Sequence, residues 1–558
     1  MDGRSVANQL LPRLFEDAHY LVVEKPSGLA VHTSQRERPG GVVEALEALG
    51  LGAGLRACYK LDKYTSGVLV VAKTAVAAER FVELMKGGRV RLTYAAVVRG
   101  RPKAASRGGR TGRPGPKRGV GRRGGDAREP AGVEVYRQFE RRSLVRVAAR
   151  ESGGARVRAS LRAAGAAVLG DARFDPRPGR EQAGRFYVHL ETMSFRHPFT
   201  DGAMRVKSAI PVSFERAARG DRVLEAHLDV ALAARMPCLL DAETDAFRLF
   251  NGKREGVSGL LAEKLGDVVV LHAQQGKFQG GDEALAAAAK WYGRRLDLRA
   301  VYAKHIPRNR SRGPQAGGDQ GPTRKGDRGA GSASAIDRQP IWGAASDAEV
   351  VIREHGMRYV VRPNDGYAVG LFLDHRENRA YLRRSAEGRR VLNLFSYTCG
   401  FSVAAAVGGA AATASVDLSK KFLAWGKRNF EVNGLTAAEH RFYCCDAFDY
   451  FKRAQRQGHR YDVIVLDPPT FSRTKKPARV FQVTRDMARL IGGALGLLER
   501  GGLMLVSTNH AELTVRWLRD QIEAGARGRG FRAVESPPAA FDFAGARDAA
   551  KSVWVRFD

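Results

Sequence analysis

The residues best placed to do chemistry are Asp467-Pro468-Pro469-Thr470, which end the run Tyr461-Asp-Val-Ile-Val-Leu466 and precede Phe471. A short apolar run of this kind is a buried strand, and two prolines forbid its continuation. Asp467 therefore stands at the carboxyl end of a strand, where open α/β sheets bind ligands. An acid, two rigid ring-bearing residues and an aromatic side chain suit the grip of a flat base by Asp467, Pro468, Pro469 and Phe471. A strand terminator with a capping Asp accounts for the tetrapeptide equally well, so its neighbours decide. Asp417 ends the strand Ala414-Ser-Val416, and Asp446 follows Phe442-Tyr-Cys-Cys445. An acid at the end of a second strand commonly binds ribose hydroxyls.

The element that must position these acids begins at Val391-Leu-Asn-Leu, runs through Phe395-Ser-Tyr-Thr-Cys-Gly400 and enters a helix at Phe401. This loop is poor in glycine beside a pyrophosphate cradle, which argues against a dinucleotide. S-adenosylmethionine carries a sulfonium cation and no phosphate, and so calls for close backbone and carboxylates. Gly370-Leu-Phe-Leu-Asp-His-Arg376, Asn393-Leu-Phe-Ser-Tyr397, Asn429 with Asn433-Gly434-Leu435, and Asp467-Pro-Pro-Thr-Phe-Ser472 resemble the RlmK/RlmI-like class I S-adenosylmethionine-dependent rRNA methyltransferases. The resemblance covers about residues 345 to 558 and implies a Rossmann-like domain. It further implies that Arg376, Phe395, Ser396, Tyr397, Asp417, Asp446 and Asp467 line the cofactor, with Asp467 also facing the base. His375 is expected to pack at a helix start rather than to act.

Cysteine placement narrows the chemistry. Methylation of a pyrimidine at C5 needs a thiolate that adds to C6. The five cysteines are Cys58, Cys238, Cys399, Cys444 and Cys445. None lies in the Asp467 loop or in Gly502–His510, where C5-specific relatives carry the nucleophile and this chain has Ser507-Thr508-Asn509. Guanine N7 exposes a lone pair and needs only orientation and charge stabilisation. C5 methylation is therefore disfavoured, and the resemblance, which is to the guanine-N7 methyltransferase, implies N7, with an exocyclic amine left open.

A second constellation lies near the N-terminus. Asp17-Ala-His-Tyr-Leu-Val-Val-Glu-Lys-Pro-Ser-Gly-Leu29 is a strand broken by a turn, and Leu61-Asp-Lys-Tyr-Thr-Ser-Gly-Val-Leu-Val-Val-Ala-Lys73 is a loop entering a strand. With Thr93-Tyr94, Val157-Arg158, Gly170-Asp171 and Phe186–Pro198, they resemble the RluA-type pseudouridine synthases over about residues 14 to 215. The resemblance implies a mixed α+β fold in which Asp62 attacks the ribose or assists glycosidic cleavage, Tyr94 stacks on the uracil and helps remove the C5 proton, and Arg158 pairs with Asp62. The uridine must leave the stack to react. The chain departs from that pattern at Tyr59-Lys60, where His-Arg is usual, at Leu92 in place of Lys, and at Gly153 and Ala155 in place of Arg and His. These departures fall mainly on groups that grip RNA, so a domain kept only for RNA binding stands as the alternative to an active synthase.

At 558 residues with 44% apolar composition, the chain is a multidomain α+β and α/β protein. Lys and Arg number 93 against 59 Asp and Glu, a net charge of +34, which favours a polyanionic partner. Segment 101–130 holds ten Lys or Arg against two acids, and 307–340 is Gly-, Arg- and Ser-rich. Both have the composition of disordered insertions, expected to serve as electrostatic tethers for RNA. Between the two catalytic parts, Phe247–Gly252 and Gly259–Leu271 suggest a small α+β domain. The expected division is a synthase domain over 1–222, a substrate-guiding domain over 223–345 and a methyltransferase over 346–558. No run reaches the ~18 apolar residues of a membrane span, and no secretory h-region opens the chain, so a cytoplasmic location is expected. The scattered cysteines fit neither a disulfide framework nor a zinc site, and no metal is expected. The reading is an rRNA modification enzyme that methylates a large-subunit (23S) base and isomerises uridine, acting on RNA or a pre-ribosomal particle. Its alternatives are methylation of another base atom with a lapsed synthase, and a noncatalytic assembly factor.

Overall fold

The computed structural model describes residues 3–33, 40–102, 132–150, 153–175, 185–221, 223–307, 339–366, 368–436, 439–475 and 478–558. The basic segments 101–130 and 307–340 lie, but for their outermost positions, outside the described residues. The chain divides into two compact units, Met1–Leu240 with Gly252–Val257, and Asp241–Asn251 with Ser258–Asp558.

The first unit is built on a mixed sheet of β1 (Arg13–Glu16), β2 (Tyr20–Lys25), β3 (Arg56–Ala57), β4 (Thr65–Ala72), β5 (Arg91–Arg99), β6 (Val133–Gln138), β7 (Arg142–Ala149), β8 (Val188–Arg196) and β9 (Ala203–Lys207). Its order is β1-β2-β4-β8-β5-β7-β6, with β3 on β4 and β9 on β8. Every residue of β4, Thr-Ser-Gly-Val-Leu-Val-Val-Ala, is buried, as a central strand covered on both faces requires. Gly67 permits its close approach to β8, because a Cβ there would lie 2.2 Å from the Leu190 carbonyl oxygen. The β5–β8 register slips between Thr93 and Tyr94. The extra residue is Glu191 of β8, opposite these two.

The helices Leu224–Ala234 and Met236–Leu240 were expected with a middle domain but belong to this first unit. The reason is apolar burial: Val223 and Ala226 enter a cluster with Val97, Tyr187 and Phe214. The contact boundary thus falls after Leu240 rather than at 222.

In the second unit a five-stranded sheet, β10 (Ala246–Asn251), β11 (Leu260–Leu265), β12 (Val268–Gln274), β13 (Ala300–Ile306) and β14 (Trp342–Gly343), lies in chain order, with the helix Gly281–Leu296 crossing between the parallel pair β12 and β13. The hairpin β15 (Val350–Glu354) and β16 (Met357–Val361) follows. The main sheet takes β17 (Arg390–Leu394), β18 (Ala412–Asp417), β19 (His440–Cys444), β20 (Tyr461–Leu466), β23 (Leu498–Thr508), β24 (Phe531–Ala533) and β25 (Lys551–Phe557), with a separate small hairpin of β21 (Phe471–Lys475) and β22 (Ala478–Gln482) between β20 and β23 in the chain. Its order is β19-β18-β17-β20-β23-β25-β24, parallel except where β25 pairs antiparallel with β23 and β24. The chain winds outward from β17 to β19 and then crosses back to β20. The reversal between β17 and β20 is the topological switch point, and a doubly wound sheet binds its ligand at the carboxyl ends there. Among the described residues no helix is long and apolar enough to cross a membrane.

Candidate functional site

The loop after β17 and the acid after β20 bracket that switch point. Phe395, Tyr397 and Cys399 all adopt positive φ, at 56°, 49° and 61°. Non-glycine residues in this region carry strain that surrounding contacts must hold. Asp417 holds the loop, accepting the Tyr397 N–H through Oδ2 and the Ser419 N–H through Oδ1, each at 2.8 Å. Burial raises the Asp417 carboxyl above its usual range, with these amides opposing the shift. Asp446 caps the helix Ala447–Arg456 by accepting the Phe448 N–H at 2.9 Å and also lies 3.5 Å from Arg479 of β22. Phe395 is half-buried, with its ring 5.6 Å from that of Phe481, while Ser396 is buried, its N–H on the Val416 carbonyl. Partly exposed carboxylates at the ends of β18 and β19, with close backbone and no glycine-rich anion nest between β17 and its helix, fit a phosphate-free cationic nucleoside such as S-adenosylmethionine.

Asp467 presents its carboxylate between two donors. Ser507 Oγ donates to Oδ1 at 2.6 Å, and His375 Nε2 lies 3.3 Å from Oδ2. Burial pushes this carboxyl up, but His375 and Ser507 outweigh it and hold the group below the usual carboxylate range. The Asp467 side chain stays 22% exposed while that of His375 is 4% exposed, so the acid is reachable and its partner is not. Pro468 is buried, Pro469 and Phe471 are half-buried, and Thr470 Oγ1 lies 3.4 Å from Asn509 Oδ1.

His375 is buried at a helix start, as expected, and its imidazole also faces Asp467. One expectation changes. Arg376 is turned into an internal ion pair with Asp542 at 2.6 Å, both side chains nearly without exposure. A buried guanidinium needs such a partner, and only the fold brings Asp542 to it.

In the first unit, Asp62 sits in the turn before β4, its carbonyl accepting the Thr65 N–H at 3.0 Å. Arg158, on the helix Gly154–Ala163, donates to Asp62 Oδ2 and to Asp171 Oδ1, each at 3.1 Å. Its guanidinium lies over the Phe186 ring at 4.1 Å. The expected Asp62–Arg158 pair is thus present, and Asp171 joins it. Tyr94 of β5 is wholly buried opposite the bulge of β8, its hydroxyl 3.5 Å from the Gly153 N–H donor. Burial pushes its phenol up to about 12. In this state its ring presents no surface to a base.

The departures from the synthase pattern have structural roles. Tyr59 is buried and donates to the Val68 carbonyl at 2.6 Å, Leu92 is core, and Lys60 alone is exposed. Sequence reasoning passed over Lys25. Its buried ammonium nitrogen donates to the carbonyls of Leu29 at 2.6 Å, Pro26 at 2.9 Å and Lys63 at 3.1 Å, tying the Pro-Ser-Gly turn to the residue after Asp62. Burial lowers Lys25 to about 7, with Asp62 partly opposing the shift. A lysine closing the apolar-rich strand Tyr20–Lys25, directly before a Pro-Ser-Gly turn, was the available signal.

Comparison with known proteins matches residues 339–553 to the S-adenosylmethionine-dependent methyltransferase family model and residues 19–149 to the RNA pseudouridylate synthase model. The chain is 30% identical over 311 residues to a Deinococcus radiodurans ribosomal RNA large subunit methyltransferase, covering 55% of this chain and 71% of that protein. It is 45% identical over 167 residues to ribosomal RNA large subunit methyltransferase K of Neisseria meningitidis, a match covering 30% of this chain and 47% of the relative, under half its length. The crystal structure of SMU.776 complexed with SAH superposes with a TM-score of 0.51 at 29% identity, covering 66% of this chain and 88% of that one.

Proposed function

The chain belongs to the family of S-adenosylmethionine-dependent ribosomal RNA large subunit methyltransferases, and from that premise we propose that it methylates a guanine of large-subunit rRNA at N7 and isomerises a uridine through its N-terminal unit. The bound cofactor supplies an electrophilic methyl group on a sulfonium. The chain's own part is to hold the base in line with that methyl and to counter the positive charge that spreads over the purine ring with the Asp467 carboxylate. Residues 241–345 would guide the RNA toward that site.

The observation that carries the choice of atom is the Ser507–Asp467 hydrogen bond. Where a C5 enzyme holds its thiol, this chain holds a hydroxyl committed to the acid. Burial pushes the Cys399 thiol up to about 12 and Cys445 up to about 11, so neither offers a thiolate at neutral pH. A second reading, methylation of an exocyclic amine, is favoured by one fact: an ionised Asp467 only accepts hydrogen bonds, and an amine supplies the matching N–H. Borohydride and aniline treatment separates the two, because N7 methylation leaves a cationic, labile ring. Cleavage of large-subunit RNA at one position, lost on Asp467→Asn, is expected. Mass-spectrometric mapping that finds a methylated amine, or 5-methylcytidine, overturns the N7 assignment.

For the first unit, support comes from Asp62, Arg158 and Asp171 assembled in one cluster on the synthase-like sheet. Pseudouridine at one position of the same RNA is the expected product. Its absence with an intact, folded chain would leave this unit as an RNA-binding part.

A further inference from the structure

A chain of polar contacts runs from β25, inside the main sheet, to the acid proposed to face the base. Trp554 of β25, fully buried, donates its indole N–H to Asn378 Oδ1 at 3.0 Å. An indole N–H can only donate, so this contact fixes which end of the Asn378 amide is oxygen. The amide nitrogen is thereby turned toward His375 Nδ1, at 3.2 Å, and toward Ser552 Oγ, at 3.1 Å. Facing a donor, Nδ1 must accept, which leaves the imidazole proton on Nε2, 3.3 Å from Asp467 Oδ2. Ser507 Oγ takes the other carboxylate oxygen. All the side chains of the relay but Asp467 are nearly or fully buried, Trp554 at 0%, Asn378 at 6% and His375 at 3%.

We infer that Trp554, Asn378 and His375 form a positioning relay that fixes the imidazole tautomer and, with Ser507, clamps both oxygens of Asp467 in one orientation toward the target base. The inference rests on the reading of Asp467 as the base-facing acid. Each clamped oxygen keeps a lone pair for the substrate, so the carboxylate meets the base already turned and already desolvated on its protein side. Loss of a donor lets it rotate, and a misplacement of this kind costs roughly 100-fold in rate.

The other charged groups around His375 do not provide the clamp. Asp374 beside it accepts the Ala550 N–H, Arg379 is engaged by Glu354, and Arg248, paired with Glu263, acts on Asp374 rather than on the imidazole. Asp467 and Asp374 favour a second proton on His375 against the effect of burial. Such a proton on Nδ1 would confront the Asn378 amide donor and force it away from Trp554.

The test uses the full chain labelled with 15N-histidine. In the wild type, His375 should show a protonated Nε2 and an unprotonated, hydrogen-bonded Nδ1 at neutral pH. Asn378→Asp should abolish that pattern by offering Nδ1 an acceptor. In single-turnover methylation of large-subunit RNA, His375→Phe should lower the rate roughly 10- to 100-fold with calorimetric cofactor binding unchanged. In an Asp467→Asn background the same substitution should add nothing, because His375 acts only through that acid. Independent, multiplying losses in the two backgrounds, or a wild-type imidazole carrying a proton on Nδ1, whether alone or together with one on Nε2, would overturn the relay. If the wild type methylates no large-subunit RNA while the tautomer signature holds and responds to Asn378→Asp, the functional reading falls and the relay stands. Should His375→Phe fail to fold, Ser507→Ala carries the same background test through the opposite oxygen.

Discussion

Arg158 reaches Asp62, 96 positions earlier in the chain, at 3.1 Å, while its other terminal nitrogen holds Asp171 at the same distance. One guanidinium thus serves two carboxylates. Asp171 is almost wholly buried, whereas the Asp62 side chain is 35% exposed. The buried acid anchors the arginine, and the exposed acid is left as the group a substrate can reach. This asymmetry assigns different parts to two residues of the same type.

Asp62→Ala should reduce pseudouridine formation to background and leave methylation unchanged, since the carboxylate belongs to the first unit and has no part in methyl transfer. Mapping both modifications on RNA treated with the mutant checks this. Loss of both activities with unaltered thermal unfolding would contradict independent sites.

Gly154→Ala should be nearly as damaging to the synthase with Asp62 still in place. A Cβ at Gly154 would lie 2.7 Å from Asp62 Oδ2 and 2.6 Å from Thr65 Oγ1, so the acid must move. A displacement near 1 Å predicts a rate loss of roughly 100-fold, readable as pseudouridine yield against time. An unchanged rate would mean that Asp62 tolerates a shift a catalytic acid should not.

Arg379→Met should destabilise the second unit by about 3–5 kcal/mol, because it strands a buried carboxylate. Arg379 Nε and Nη2 each donate to Glu354 at 2.6 Å, with side-chain exposures of 2% and 0%. Adding Glu354→Leu should recover most of the loss, since no charge is then left unpaired. Urea denaturation of the single and double mutants measures both effects.

Lys25 should make the first unit more stable as pH rises. Its folded value of about 7 lies below the ordinary lysine value of 10.5. Between these values the unfolded chain binds the extra proton and the folded one does not, so stability climbs from pH 7 toward pH 10. Below pH 7 both forms bear the charge, and the full cost of burying it remains. Lys25→Met should flatten this slope in urea midpoints at pH 7, 8.5 and 10. An equal slope in the mutant would place the titrating group elsewhere.

Much of the catalytic outline was legible because it is local. The runs at Val391–Leu394, Ala414–Val416, Phe442–Cys445 and Tyr461–Leu466 declare strands by composition, each within a residue or two of the strand observed, and the acids Asp417, Asp446 and Asp467 follow as terminators of the last three. Asp62 and Arg158 were found through their motifs, and the fold confirms their pairing. What the residues could not declare depends on partners far along the chain. Arg376 meets Asp542 and Arg158 meets Asp171 only because sheet order brings their elements together. The place of β20 beside β17, the slip of register at Tyr94 and the grouping of Leu224–Leu240 with the first unit are likewise outcomes of packing. His375 shows the difference most plainly. Its neighbours in sequence suggest a helix start, and Asn378 reaches it from three residues along the helix Arg376–Ser385, but only the folding of β25 and β20 onto that helix sets Trp554 behind Asn378 and Asp467 against the imidazole. Apolar periodicity specifies an element and its terminator, but the hydrogen-bond partner of a buried polar group is chosen by three-dimensional proximity, which no local pattern encodes.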